Sequence, residues 1–421
     1  GGSLAILGKK VGLVGATLDA SGANGGGTVL VGGAYQGKGT VPNATRTFVS
    51  SDSVIHADAL ASGNGGKVVI WADDVTAFKG AITAKGGARS GNGGLVEVSG
   101  KQTLIFQGSA DLSAPQGMLG NLLLDPQNLT IVAGTGYGAP NLQDSALPDI
   151  FADDFLGQDI TLSQNALQAL TGNANVTLQA TDNITINSLG IVSAVYIPGA
   201  LTFQPGTGSI TFQADTNADG VGNFSMNPLD AINTNGRAIA ISGNNITVGN
   251  LNTSLIAAPL TSPGGAITLT ATNLLTTRGL NASGSVGGDI RLTGDEIDLL
   301  GGGSSVFSNG GNLLLQPTTP GQNILIGNSA GGGTAALDLD AIDLAVLASG
   351  SFASTTIGRS NGSGTITVTT PQFFSGNLLI QSPQGAIVID ADLDSGDAMT
   401  LRAATTTLNA DVATAGETPT D

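Results

Sequence analysis

A pair of glycines followed by a short alternating strand recurs along this chain at a nearly constant step. Gly264-Gly265 precedes AITLTA, Gly287-Gly288 precedes DIRLTG and Gly310-Gly311 precedes NLLLQP, each about 23 residues from the next. Upstream, Gly236-Arg237 precedes AIAISG and Gly208-Ser209 precedes ITFQA, at steps of about 28 residues. Asn64-Gly65-Gly66 before KVVIW and Asn92-Gly93-Gly94 before LVEV repeat that longer step. A unit of this length, with two or three strands and no long helix, marks a solenoid whose coils bury their apolar faces only against neighbours. The expectation is an all-β chain, a parallel β-solenoid of roughly 15 coils with short helical interruptions. At a strand spacing of about 4.8 Å that is a rod of roughly 70–80 Å.

Composition supports this reading. The chain has 65 glycines in 421 residues, about twice the usual share, yet 40% of its residues are apolar, which separates it from disordered Gly-rich chains. Only 4% are aromatic, so the core is built from small aliphatic side chains in thin layers. No run of 18 apolar residues suggests a membrane span. There is no signal peptide and no initiator Met, as expected of a processed or excised piece. Cysteine is absent, which removes disulfides and thiolate metal sites. The single histidine, His56 in SVIHADAL, lacks a second histidine and reads as structural.

Charge is unevenly placed. Residues 1–101 carry all seven lysines and two arginines against six acids, whereas residues 102–421 carry five arginines against 25 acids. A surface of that sign repels nucleic acid and anionic membranes, so DNA binding is excluded.

Along the chain, residues 1–133 read as the most regular Gly-rich coils, with strands at Thr28-Val-Leu-Val31, Lys67-Val-Val-Ile-Trp71, Leu95-Val-Glu-Val98, Thr103-Leu-Ile-Phe106 and Asn121-Leu-Leu-Leu124. Within them, residues near 34–52 are too long for a turn and are expected to protrude as a loop. Pro126 interrupts the strands. Residues 134–172 break the rhythm, with ALPDIFADDFL and SQNALQALTG reading as short helices, the second capped by Ser163 and stopped by Gly172. Coils with a step of about 23–28 residues resume over 173–335. A short helix, LDAIDLAVLAS, opens 336–421, whose last coils end in a frayed tail, ATAGETPTD.

The blocks GGSLAILGKKVGLVGATLDASGANGGGTVLVGG, YQGKGTVPNATRTFVSSDSVIHADAL, GNGGKVVIWADDVTAFKGAITAKGG and GNGGLVEVSGKQTLIFQG resemble filamentous-haemagglutinin-like exoproteins. They are most similar to the large cyanobacterial members exported by the two-partner (type Vb) route, as are GMLGNLLLDPQNLTIV, SGNNITVGN and GGAITLTATN further on. The resemblance spans nearly the whole chain, with the most specific motifs in the first 132 residues. It implies a right-handed parallel β-helix, export through an outer-membrane transporter, and a secreted or surface-borne fibre acting in adhesion or aggregation. The family's N-terminal secretion domain is not recognised in this sequence, so the chain corresponds to the shaft, and no transporter-binding residue is assigned.

The sharpest chemical motif is Asp215-Thr-Asn217-Ala-Asp219-Gly220, whose alternate oxygen ligands before a turn-making glycine resemble a calcium-wrapping loop. The closing Glu of an EF-hand is replaced by Met226, which leaves a plain acidic turn as the alternative. Asp215, Asn217 and Asp219 are thus the candidate calcium ligands, and calcium the only cofactor suggested. Asp390, Asp392 and Asp394 alternate along a strand and read as a solvated face. Asn-X-Thr triplets at Asn128, Asn175, Asn183 and Asn245 read as corners where asparagines of successive coils stack. GNGGK lacks the GxxxxGK[ST] pattern of a phosphate loop.

The only Asp pairs, Asp73-Asp74 and Asp153-Asp154, have no His, Lys or Arg beside them in a recognisable glycosidase set. A lone His permits no Ser-His-Asp triad. The expected function is therefore a non-enzymatic, secreted β-helical fibre or adhesin segment for surface attachment or cell–cell aggregation. Broad, shallow contacts to a glycan or cell-surface ligand would be made by Thr/Asn/Asp-lined faces and by the loops at 34–52 and 134–172. A subunit of an extracellular filament that stacks end to end is the first alternative, and a polysaccharide-degrading β-helix the second.

Overall fold

The computed structural model describes residues 1–125, 128–134, 160–172, 174–192, 196–255, 263–303, 305–327, 335–347 and 351–415. These form two compact units, Gly1–Asn223 and Phe224–Asp421. Almost every strand pairing is parallel, and the fold of both units is the expected parallel β-helix.

In the first unit, strands Ser3–Ile6, Thr28–Val31, Lys67–Ala72, Leu95–Gly100, Asn121–Leu124, Asn175–Gln179 and Ile210–Gln213 stack as one parallel face. A second face runs through Lys10–Leu13, Arg46–Val49, Val75–Phe78 and Thr103–Phe106, and a third through Thr17–Asp19, Val54–His56, Ala81–Thr83 and Ser109–Asp111. Three short strands per coil are what chains rich in Gly and Asn corners can make, because each corner must redirect the backbone within a few residues.

Register decides the core. Val29, Val68, Val96, Leu122, Val176 and Ile210 occupy one column of the first face, and all are fully buried. The second unit repeats the device: Leu269, Leu292, Leu315, Ile357 and Ile380 form a fully buried column. Alternation along each strand sends these side chains inward and leaves polar neighbours outside.

The glycine pairs have a steric cause. Gly27, Gly66, Gly94 and Gly120 lie on top of one another, and a Cβ on any of the last three would fall within 3.0 Å of the carbonyl oxygen of the glycine before it. Gly265, Gly288 and Gly311 form the same ladder in the second unit. The coils approach so closely at this corner that no side chain fits.

The asparagine corners are present as expected. The Asn183 amide donates to Asn128 Oδ1 at 3.2 Å, and Asn183 Oδ1 accepts the backbone N–H of Asn223 at 3.0 Å. Asn273 and Asn245 form an equivalent step at 2.9 Å. Asn183→Ala removes acceptor and donor between three coils at once, and urea melts should show a loss of roughly 1–2 kcal/mol. An unchanged midpoint would show that the corner asparagines contribute no stability.

Several expectations need correction. The 34–52 segment does not protrude as a whole: Arg46–Val49 is a buried strand of the second face, and residues 34–45 fold back over the first. Its insertion lengthens that coil, so Thr28 pairs directly with Lys67. The helix capped by Ser163 runs only over Gln164–Gln168, with Ala169 at its end, while Gly172 bridges to Gly206 in the next coil. The helix at 339–349 is Ala341–Leu347. The start of the supposed tail is ordered, since Ala413 and Thr414 pair with Asp394 and Ser395. Pro126, the ALPDIFADDFL segment with Asp153-Asp154, and residues 416–421 lie outside the described residues.

Candidate ligand groove

The first unit carries a groove of about 700 Å³ on its first face, lined by Gln36, Lys38, Asn43, Trp71, Asp73, Lys101, Asp125 and, from later coils, Gln179, Thr181, Thr216 and Asn217. Its wall is the inserted segment 34–45. A 3₁₀ turn at Tyr35–Gly37 lies over strands Lys67–Ala72 and Leu95–Gly100, which explains why those strands are buried on both sides.

The strap is tied down at four points. Gln36, held in the left-handed region at φ 53°, donates its backbone N–H to both carboxylate oxygens of Glu97 at 3.0 Å. Gly37, also left-handed, packs on the Trp71 ring so closely that a Cβ would overlap it. The Asn43 amide donates to Gly37 O at 2.9 Å and to Asp73 Oδ1 at 3.0 Å, which also accepts from Trp71 Nε1 at 3.1 Å. Lys67 Nζ sits 4.5 Å from the centre of the Tyr35 ring.

Electrostatics at the wall are unusual for a surface. Glu97 is wholly buried, and burial, reinforced by the Asp125 charge and opposed by the Gln36 N–H, pushes its carboxyl up to about 7. Burial also raises Asp125. The Tyr35 phenol is raised by burial and then by the Glu97 and Asp125 charges.

The acidic turn expected to bind calcium closes on itself. Asp215 accepts the backbone N–H groups of Asp219 and Gly220, Asp219 accepts that of Val221, and the Asn217 amide donates to Asp219 Oδ2 at 2.7 Å. What the turn contributes is one rim of the groove, through Thr216 and Asn217. Among the described residues no group of three or more His, Cys, Asp or Glu is placed to hold a metal ion. Asp390 accepts from the Asn409 amide at 2.7 Å, Asp392 accepts the Asp411 N–H at 3.3 Å, and Asp394 lies in strand Leu393–Ser395, which pairs with Gln372–Phe374 and Val412–Thr414. His56 Nδ1 meets Thr83 Oγ1 at 2.8 Å, and Thr83 donates to Asp58 at 2.7 Å, an outer ladder between coils.

Asp74 does have a basic neighbour, Arg46, at 3.2 Å, brought there by stacking from the previous coil. That pair neutralises one carboxylate, and Asp73 is engaged by Asn43 and Trp71.

A second cluster, in the other unit, was not visible in the sequence. Glu296 and Asp298 on one strand face Asp338, Asp340 and Asp343 around the helix Ala341–Leu347. Asp343 accepts the Leu299 N–H at 2.7 Å, and Asp340 caps the helix through the N–H groups of Ile342 and Asp343 at 2.7 and 3.0 Å. Burial first, then the neighbouring carboxylates, push Glu296 up to about 8, and burial first pushes Asp343 up to about 7. Glu296 is only 4% exposed, so substrate has no access to it. The cluster braces the helix against the coil.

Fold and site together define a parallel β-solenoid with a polar, strap-walled surface groove. The chain matches no protein-family profile and no curated protein. No helix among the described residues is long and apolar enough to cross a membrane.

Proposed function

We propose that this chain is a non-enzymatic segment of a secreted β-helical fibre of the filamentous-haemagglutinin type, attaching to a glycan on a surface or neighbouring cell. The observation that carries the reading is the groove at Trp71. It combines amides (Gln36, Asn43, Gln179), hydroxyls (Thr181, Thr216) and two Lys balanced by two Asp, the donor and acceptor mixture that suits a neutral, hydroxyl-rich ligand. The exposed carboxylate pair that hydrolysis would need is taken up by Arg46, Asn43 and Trp71.

Trp71 is the sole tryptophan, so its emission reports on the groove directly. Neutral oligosaccharides should change that emission saturably, with no new reducing ends, and Thr181→Val, at a groove-lining hydroxyl, should weaken binding about tenfold, the equivalent of one hydrogen bond. No response across the panel would sink attachment through this groove.

A filament subunit is the second reading, favoured by the parallel ladders that run through each unit, a geometry that further copies of the chain would continue. Electron microscopy with and without a calcium chelator separates the two. Continuous filaments support the subunit, their loss on chelation would place calcium in the stacking, and short single rods support the attachment segment.

A further inference from the structure

We infer that Glu97 is a protonation-dependent latch: its neutral carboxyl holds the 34–45 strap closed over Trp71, and its ionisation releases the strap, uncovering Trp71 and taking down the wall of the groove. This names a regulation of the proposed attachment site and rests on that reading only for its biological use.

The geometry carries it. Glu97 points outward from its strand, in one column with Val69 and Leu123, and would be exposed without the strap. With it, the side chain has no accessible surface. No Lys or Arg lies within ion-pair distance of it among the described residues; its hydrogen-bond anchor to the strap is the Gln36 N–H. The charged and titratable groups around it are Tyr35 on the strap, Lys67 on the preceding coil, and Asp125 after the following one. Lys67 is turned to the Tyr35 ring, and Asp125 is of like charge. A carboxylate ionised under the closed strap has the Gln36 N–H but little water around it, so ionisation favours the lifted strap, where it is hydrated.

The sign follows by linkage. With the strap closed the carboxyl titrates near 7, and with the strap open it is hydrated and titrates near the ordinary glutamate value of about 4.5. Raising the pH from well below 4.5 to well above 7 therefore shifts the closed-to-open equilibrium toward open by about three-hundredfold. Strap opening exposes the indole, which is otherwise 5% exposed beneath Gly33 and Gly37.

The test is Trp71 emission and iodide quenching of the full chain from pH 4.5 to 9, with circular dichroism to follow the sheet. The expected result is a red shift and a several-fold rise in quenching with a midpoint near 7, without loss of sheet signal. Glu97→Gln should abolish the transition and remain protected throughout. Asp125→Asn, which leaves the latch in place but removes the like charge, should move the midpoint down. His56→Gln should leave it unchanged. A transition that survives Glu97→Gln, that follows His56, or that is absent from the wild-type chain overturns the latch. A correct latch with no oligosaccharide binding would overturn the attachment reading alone.

Discussion

Gly94→Ala should cost the chain roughly 3–5 kcal/mol, visible as a large fall in urea midpoint, although the change adds one methyl group. The added Cβ would be driven into the Gly66 carbonyl oxygen and against the Ala84 side chain, and the first of these is backbone that cannot rotate away. Relief requires prising neighbouring coils apart, which breaks the ladder bonds of Leu95 to Gly66 and of Asn121 to Gly94. Overpacking of ordinary cores costs about 1–3 kcal/mol, and the rigid obstacle here raises that. Gly12→Ala is the control. Gly12 lies in strand Lys10–Leu13 with open space around its would-be Cβ, so that variant should stay within about 0.5 kcal/mol of the parent. Equal losses in both variants would mean that strand propensity, not close approach, explains the glycine pairs.

Alkaline destabilisation of the second unit is the next largest effect, and Glu296→Gln should remove much of it. Glu296 titrates at about 8 in the folded chain and near 4.5 when unfolded, and Asp343 at about 7 against 3.8. Between those values the folded chain holds protons that the unfolded chain has lost. Stability is therefore fully present below about pH 4 and falls as pH rises toward 8. Glutamine keeps an acceptor for the Asp338 N–H that bonds Glu296 but never ionises. At pH 8.5 the variant should be more stable by roughly 2 kcal/mol, a figure reduced from the full shift because the carboxylates relax together. Below pH 4 it should match the parent. A constant difference at all pH values would mean that the gain comes from packing and not from charge.

Both predictions depend on residues whose surroundings lie a coil away, and that is where reading the sequence succeeded and stopped. The repeat step, the strand runs from Thr28 to Leu124, the Ser163 cap and the asparagine corners were legible because each is set by local chemistry repeated along the chain. The strap was not. YQGKGTVPNATRTFVSS has no periodicity, and nothing local says that its second half supplies a strand while its first half folds back over Trp71. Glu97 alternates with the buried Val96 and Val98 and so lies on the outward side of its strand, but outward is not exposed once an insertion from an earlier coil covers it. The carboxylates of DEIDLL and LDLDAIDLA, some 40 residues apart in the sequence, likewise meet only through stacking. At Asp215, Asn217 and Asp219 the spacing points to a cation, and the structure adds that the two carboxylates also accept backbone N–H groups of their own turn, a detail that spacing does not carry.

By itself the sequence determined the class of architecture, an all-β parallel solenoid, since glycine pairs and β-branched alternation at a fixed step permit little else. It also determined the acidic character of residues 102–421. Only the tertiary structure decided which outward residues are covered, where the groove lies, and which carboxylates are starved of water. The physical reason is that these properties depend on register between coils and on the path of one insertion, neither of which leaves a periodic mark in the chain.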